Sequence, residues 1–442
     1  MMLSGWGRYP KIACRQDRLH DPAEASGFLS PHRSLIARGN GRAYGDAALN
    51  PALTLSALGA GRFVDFDPTT GELTCEAGAL LSDILSVFVP HGWFPPVMPG
   101  TKFVTVGGMI ASDVHGKNHH RDGSFGDHLT GLDVMLADGR VVRCSSDRNT
   151  ELFEATIGGM GLTGVILRAS FRMMAVTSAY LEAETVPADD LDAAMSALWE
   201  AEAWPYTVAW IDCLAPGARR GRSLISRARH LDRAALPWHL RDAPCAGQDS
   251  RGLRVPTDLP AFVLNGASVR AFNAAYYLRG RMRSARRGVV HYDRFFFPLD
   301  GLLDWNRIYG RRGFVQYQCV LPPETSARGL DALLRAVATA RQGSFLAVLK
   351  RLGPGGGYLS FPMAGYTLAL DLPIRGDTFA LLDRLDDIVA REGGRVYLAK
   401  DARTSPEQFA AGYPDLAHFQ ELRRRAGAVG RFESVLSRRL EI

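Results

Sequence analysis

Gly100-Thr-Lys-Phe-Val-Thr-Val-Gly-Gly-Met-Ile-Ala-Ser-Asp-Val-His-Gly-Lys-Asn-His-His-Arg-Asp-Gly-Ser-Phe-Gly-Asp-His128 packs six glycines and four histidines into one run. Glycine at this density lets a backbone approach a ligand closely and turn N–H groups toward anionic oxygens. Glycines and apolar residues alternate too tightly for an amphipathic helix, so the run reads as a loop. A second such loop, Ala37–Asp46 (ARGNGRAYGD), lies upstream, and a third, Gly158–Gly164 (GGMGLTG), lies downstream. One glycine loop is weak evidence. Three within the first 164 residues read as a wrap around a long, phosphate-bearing cofactor.

The chain has 442 residues, 46% hydrophobic and 22% charged, which suits an ordinary globular protein of two domains. No apolar run reaches the ~18 residues of a membrane-spanning helix, and the first residues lack the apolar core of an export signal. The expected location is therefore cytoplasmic or peripheral at the inner membrane. Cys14, Cys75, Cys144, Cys213, Cys245 and Cys319 are scattered without CxxC spacing, as buried free thiols would be. The net charge of +6 favours an anionic partner, but the arginines are spread and no nucleic-acid motif appears, so no nucleic acid is expected. Among 52 basic residues only Lys11, Lys102, Lys117, Lys350 and Lys400 are lysines. Against such arginine dominance, a retained lysine marks a position where a compact ammonium or a tunable pKa is useful. Lys117 and Lys400 lie in polar, loop-rich surroundings; Lys11 and Lys102 read as solvated.

Strands are predicted at 34–37, 62–67, 72–76, 132–136, 140–144 and 165–174, with a helix over 79–89. The composition shifts near Thr177. From there to about Glu392, strands such as 207–213, 314–321 and 366–372 alternate with helices at 330–340 and 378–391, giving α+β structure on one large sheet. Residues 234–287 combine Pro, Gly, aromatics and an arginine cluster. They read either as a long surface excursion or as a mobile flap that covers a substrate, with membrane-surface contact a further role for the basic cluster. The predicted organisation is 1–176, 177–392 and a C-terminal segment 393–442.

A Rossmann site is excluded because Gly39-Asn-Gly41-Arg-Ala-Tyr-Gly45 has the wrong spacing and Pro51 interrupts any following helix. No Gly-Lys-Ser/Thr completes a P-loop. His115, His119, His120 and His128 could hold a metal if two of them four apart shared a helix face, yet Gly116 and the polar surroundings argue against a helix there, so no metal is expected. ARGNGRAYGD, PGTKFVTVGGMIASDVHGKNHH, SFGDH and GGMGLTGV resemble the FAD domain of the vanillyl-alcohol oxidase/PCMH flavoprotein superfamily. GWGR (5–8), FPLD (297–300), WNRIYG (305–310), GFVQYQ (313–318), LSFPMAG (359–365) and VYLAKDART (396–404) extend the resemblance to its polyprenylphosphoryl-ribose oxidase branch.

That resemblance implies a two-domain α+β PCMH-type fold whose substrate domain is built on a large antiparallel sheet, the C-terminal segment returning to the FAD domain. It implies FAD held by Ala37, Arg38, Gly39, Asn40, Gly41, Arg42, Ala43, Tyr44, Gly45, Asp46 and Ala47, and by Gly100, Thr105, Val106, Gly107, Gly108, Ser112, Asp113, Val114, His115, Lys117, Val165 and Tyr397. Many relatives attach flavin through a histidine directly after the GxG of the first loop. Arg42 stands there, so the FAD is expected to be non-covalent. Lys400 is expected near the flavin as base or cation, with Tyr44 as proton relay and His115 beside the ring; the ordinary alternative for Lys400 is an ion pair with Asp401 or Glu392. Gln316, Gln318, Lys350, Tyr397 and Lys400 would surround a polyprenyl-phosphate sugar. Gln316 and Gln318, two apart on a strand, face one side; a solvated strand face is the ordinary alternative. One member of that branch carries a cysteine where Ala369 stands and a tyrosine where Phe296 stands. The implied reaction oxidises a ribose 2′-hydroxyl to the ketone, a short-chain reductase then completing the epimerisation. Oxidation of a soluble alditol or aldonolactone is the alternative.

Overall fold

The computed structural model describes residues 1–247, 252–260, 262–284 and 286–442. The parts of the predicted flap at 248–251, 261 and 285 lie outside the described residues. The first unit joins three short parallel strands, Gln16–Arg18, Thr54–Ser56 and Ile36–Arg38, to a five-stranded antiparallel sheet. That sheet runs Val141–Cys144, Leu129–Met135, Val165–Arg172, Glu72–Glu76, Phe63–Asp67. The helix predicted over 79–89 is Leu81–Phe88; it stops at Gly92, whose φ of 83° suits glycine.

Inside the glycine-rich run, the expectation of loop alone is corrected. Val106–Ala111 is a short helix, because Thr105 caps it by accepting the Gly108 N–H at 3.2 Å. Val106, Met109 and Ile110, at i, i+3 and i+4, give it a buried stripe, leaving the glycines free on the other side.

An eight-stranded antiparallel sheet forms the second unit, in the order Gly288–His291, Tyr180–Ala188, Ser223–His230, Tyr206–Ile211, Ala347–Leu352, Gly365–Pro373, Phe314–Leu321, Arg395–Val396. One face is apolar: Val315, Tyr317, Cys319, Leu349, Leu368 and Leu370 pack beneath helices Pro323–Ala340 and Thr378–Arg391. With side chains alternating along each strand, that face commits Gln316, Gln318, Lys350 and Asp371 to the other.

Residues 234–287 are not a loose excursion throughout. Gly266–Arg283 is an 18-residue helix, capped by Asn265 and docked through buried Val269, Asn273 and Tyr277. Among the described residues, no helix is long and apolar enough to cross a membrane.

After Arg395–Val396 the chain runs back onto the first unit. Leu35 and Phe432 bridge in parallel, and Leu398, Phe409, Phe419 and Leu436 share a core with Ile36 and Met160. Arg423, fully buried, secures this return: it donates to the carbonyls of Leu162 (3.1 Å), Phe432 (2.8 Å) and Ile442 and to Glu433 (3.0 Å). Arg423→Met would leave Glu433 and these carbonyls short of a donor. Urea unfolding is expected to show a loss of about 3 kcal/mol, whereas a loss below about 1 kcal/mol would mean the segment is held by its apolar contacts alone.

Candidate active site

The three glycine loops are stitched to one another. Asn40 donates to the Phe103 carbonyl at 2.9 Å, and a Cβ on Gly39 would lie 2.1 Å from the Thr105 hydroxyl. Gly158 and Met160 donate to the carbonyls of Ile110 (2.9 Å) and Ala111 (2.8 Å). Together the loops form one wall of an elongated cavity of about 360 Å³. The polar face of the eight-stranded sheet forms the opposite wall, with Gln316, Gln318, Lys350, Ala369 and Asp371.

Of the residues expected at the cofactor, Ala37, Arg38, Gly39, Asn40, Gly41, Arg42, Ala43, Tyr44, Ala47, Gly100, Thr105, Gly107, Gly108, Ser112, Val114, His115 and Tyr397 line this cavity. The remaining six stand behind the wall. Gly45 abuts the Asp401 carbonyl, and Asp46 accepts two bonds from Arg439 at 3.0 Å. Val106 and Val165 are buried in the core. Asp113 accepts from Gly126 N–H (3.0 Å) and from the Ser360 hydroxyl. Lys117 donates to the carbonyls of Phe295 and Phe296 and lies 4.4 Å from the Phe295 ring centre, braced rather than solvated. Lys102, expected in solvent, pairs with Asp293 instead.

Five successive N–H groups, of Gly39, Asn40, Gly41, Arg42 and Ala43, donate to no protein acceptor among the described residues. A curved row of free donors is a cradle for anionic oxygens. The Arg42 guanidinium sits 4.0 Å over the Trp6 ring, with Nε unpartnered. These groups fit the pyrophosphate and adjacent parts of FAD.

The reactive end of the cavity is crowded with buried polar groups. Lys400 Nζ lies 3.9 Å from the centre of the Tyr44 ring. Neither expected ion-pair partner is available: Asp401 binds Arg439 (2.8 Å) and Glu392 binds Arg328 (2.6 Å). Burial pulls the Lys400 ammonium below its ordinary pKa, Asp371 pulling the other way, and burial raises the Asp371 carboxyl. Gln316 donates to Asp371 at 2.5 Å, and the Tyr309 hydroxyl stands 3.4 Å away. Gln318 donates to His115 Nε2 at 2.9 Å and to Thr367 at 3.1 Å. The proton of His115 therefore sits on Nδ1, which has no partner, and burial with Lys350 nearby keeps the ring neutral. Tyr397 donates to the Ser112 carbonyl at 2.8 Å. Among the described residues, Lys350 donates only to the Gly116 carbonyl, at 3.5 Å. The other loop histidines go elsewhere: His119 accepts from Gly353 N–H (3.1 Å), and His120 meets the Trp204 carbonyl (3.1 Å).

Asp371, Asp300, Trp6 and Trp305 also line the cavity and were missed. Asp371 had a signal, as the one carboxylate in the apolar strand run 366–372; it pairs across the sheet with Gln316 and so shares that face. Asp300, which accepts the Lys102 N–H at 2.8 Å, had none.

Residues 28–145 match the FAD binding domain family. With the glycine cradle and the large antiparallel sheet, that defines a two-domain, PCMH-type flavoprotein. Over 451 aligned residues the chain is 35% identical to the decaprenylphosphoryl-beta-D-ribose oxidase of Mycolicibacterium smegmatis, covering 100% of this chain and 97% of that one. It is 39% identical to an uncharacterized protein of Streptomyces coelicolor over 81% of this chain and 99% of the other. It is 30% identical to the L-gulonolactone oxidase of Mus musculus over 30% of each chain. The chain belongs to the decaprenylphosphoryl-β-D-ribose oxidase family and is an FAD-dependent oxidoreductase.

Two outcomes test this geometry. Gly39→Ala forces the first loop from the Thr105 hydroxyl, and the ratio of flavin to protein absorbance in the purified variant is expected to fall severalfold; full occupancy would show a looser fit. Burial brings Lys350 down to about 8, below its value of about 10.4 in an unfolded chain. The unfolded state binds the extra proton in that interval, so stability rises with pH through it. Lys350→Met should be more stable than the parent at pH 7, the gap closing toward pH 10 in urea unfolding. A gap that ignores pH would place Lys350 in water.

Proposed function

We propose that the protein oxidises the 2′-hydroxyl of a polyprenylphosphoryl-β-D-ribose to the 2-keto sugar, the first half of an epimerisation that a short-chain reductase completes. The observation that carries this reading is the sheet face opposite the FAD cradle. There Lys350, Gln316 and Gln318, with Lys400 on the turn after the last strand, line the same cavity as the free N–H donors. Lys350 has no carboxylate partner among the described residues and suits a substrate phosphate. The two glutamine amides suit sugar hydroxyls. The 35% identity to a decaprenylphosphoryl-ribose oxidase along the full chain supports the same substrate class.

When bound, FAD supplies the two-electron acceptor for the alcohol's C–H bond. The chain's own task is the hydroxyl proton. Lys400, biased by burial toward its neutral amine, is placed to take it. Tyr44, which burial keeps protonated, lies against that ammonium and can relay. His115 offers its Nδ1–H to the ligand, with Gln318 fixing the tautomer. Arg42 occupies the position of the attaching histidine, which supports non-covalent FAD. Ala369 puts a methyl on the cavity wall where one relative carries a thiol, so the chemistry requires no thiol there.

Anaerobic addition of polyprenylphosphoryl ribose should bleach the flavin bands, and acid precipitation should release the flavin. Lys400→Met should keep its FAD but bleach at least about a hundredfold more slowly. Bleaching by a free alditol or lactone, with indifference to the lipid, would assign the protein to soluble substrates.

A further inference from the structure

The outward side of helix Gly266–Arg283 bears the wrong residues for water. Its inward side is set by contacts: Asn273 donates to Asp212 (2.9 Å), the Tyr277 hydroxyl donates to Asp189 (2.6 Å), and a Cβ on Gly280 would strike Leu224. At about 100° per residue, Ala271, Ala275, Leu278 and Met282 fall on the opposite side. All four are exposed, Leu278 by 57% and Met282 by 72%. Arginines line both margins of this stripe, Arg279 and Arg283 on one and Arg270 and Arg281 on the other, with Arg286 and Arg287 just beyond. Arg281 and Arg287 reach Asp189 (3.2 Å) and Glu184 (2.9 Å), while Arg270, Arg279, Arg283 and Arg286 have no ion pair among the described residues. A water-facing helix carries polar residues at its outermost positions. Here the outermost row is apolar and cations flank it.

We propose that this helix docks the protein on an anionic lipid bilayer, lying in the interface with its apolar stripe among the acyl chains and its guanidinium groups on lipid phosphates. Charge complementarity selects this occupant. A second copy related by a two-fold axis would set arginine margins against arginine margins. The helix also stands beside the cavity. Phe272 and Tyr276 pack on Phe345 and Trp210, and Phe345 precedes Leu346 on the cavity wall. The proposal rests on this surface and not on which alcohol is oxidised.

The test sediments the full-length, FAD-loaded protein with vesicles of phosphatidylcholine, with and without phosphatidylglycerol. Partition onto the anionic vesicles is expected. It should weaken at least about tenfold in Leu278→Asp/Met282→Asp, in Arg279→Glu/Arg283→Glu and at high salt. Circular dichroism and flavin content should match the parent, since these side chains face outward. Absence of binding by the parent, equal binding to pure phosphatidylcholine, or variants that bind like the parent would each overturn the proposal. So would a dimer, seen by light scattering, that Leu278→Asp dissolves. The vesicles carry no sugar substrate, so this result is independent of the flavin-bleaching assay.

Discussion

The site depends on one close approach between two backbones some 350 positions apart in sequence. Gly45, in the first glycine loop, lies so near the Asp401 carbonyl that a Cβ would be 1.8 Å from its oxygen. The neighbouring Tyr44 N–H donates to the Ala399 carbonyl at 2.9 Å. Arg439 clamps the same junction, joining Asp46 to Asp401. Lys400 lies between Ala399 and Asp401, so this contact sets its ammonium against the Tyr44 ring. The returning C-terminal segment thus completes the cavity as well as packing on the first unit.

A second constraint is electrostatic. Lys350 and Lys400 are half-buried in the cavity wall and Lys117 is half-buried near Lys350; desolvation lowers all three pKa values. Asp371 partly offsets the positive charge. Free N–H donors and the Arg42 guanidinium extend it toward the first loop. Such a cavity favours ligands that carry their own negative charge, as a pyrophosphate cofactor and a phosphorylated sugar do. An arginine in place of Lys400 would resist deprotonation at any working pH.

The strand and helix pattern was legible because burial imposes period two on strands and near-four on helices. Thr378–Arg391 and Phe314–Leu321 fall where their apolar spacing put them. The helix at Val106–Ala111 was hidden by its glycines, since its stability comes from the Thr105 cap and a buried stripe of three residues. The docked helix at Gly266–Arg283 was hidden because its buried stripe includes Asn273 and Tyr277, polar side chains whose partners, Asp212 and Asp189, lie just past the ends of distant strands.

By itself the sequence determined the three glycine loops, the lysines retained among arginines, and the parity that puts Gln316 and Gln318 on one face. These are local properties, written in spacing and residue type. Only the tertiary structure decided that the loops are stitched into one cradle, that Gly45, Asp46 and Lys117 brace it from behind, and that Asp371 and Lys400 line the same cavity. Those outcomes depend on which carbonyl or carboxylate each group meets after distant segments pack, and no local pattern encodes that meeting.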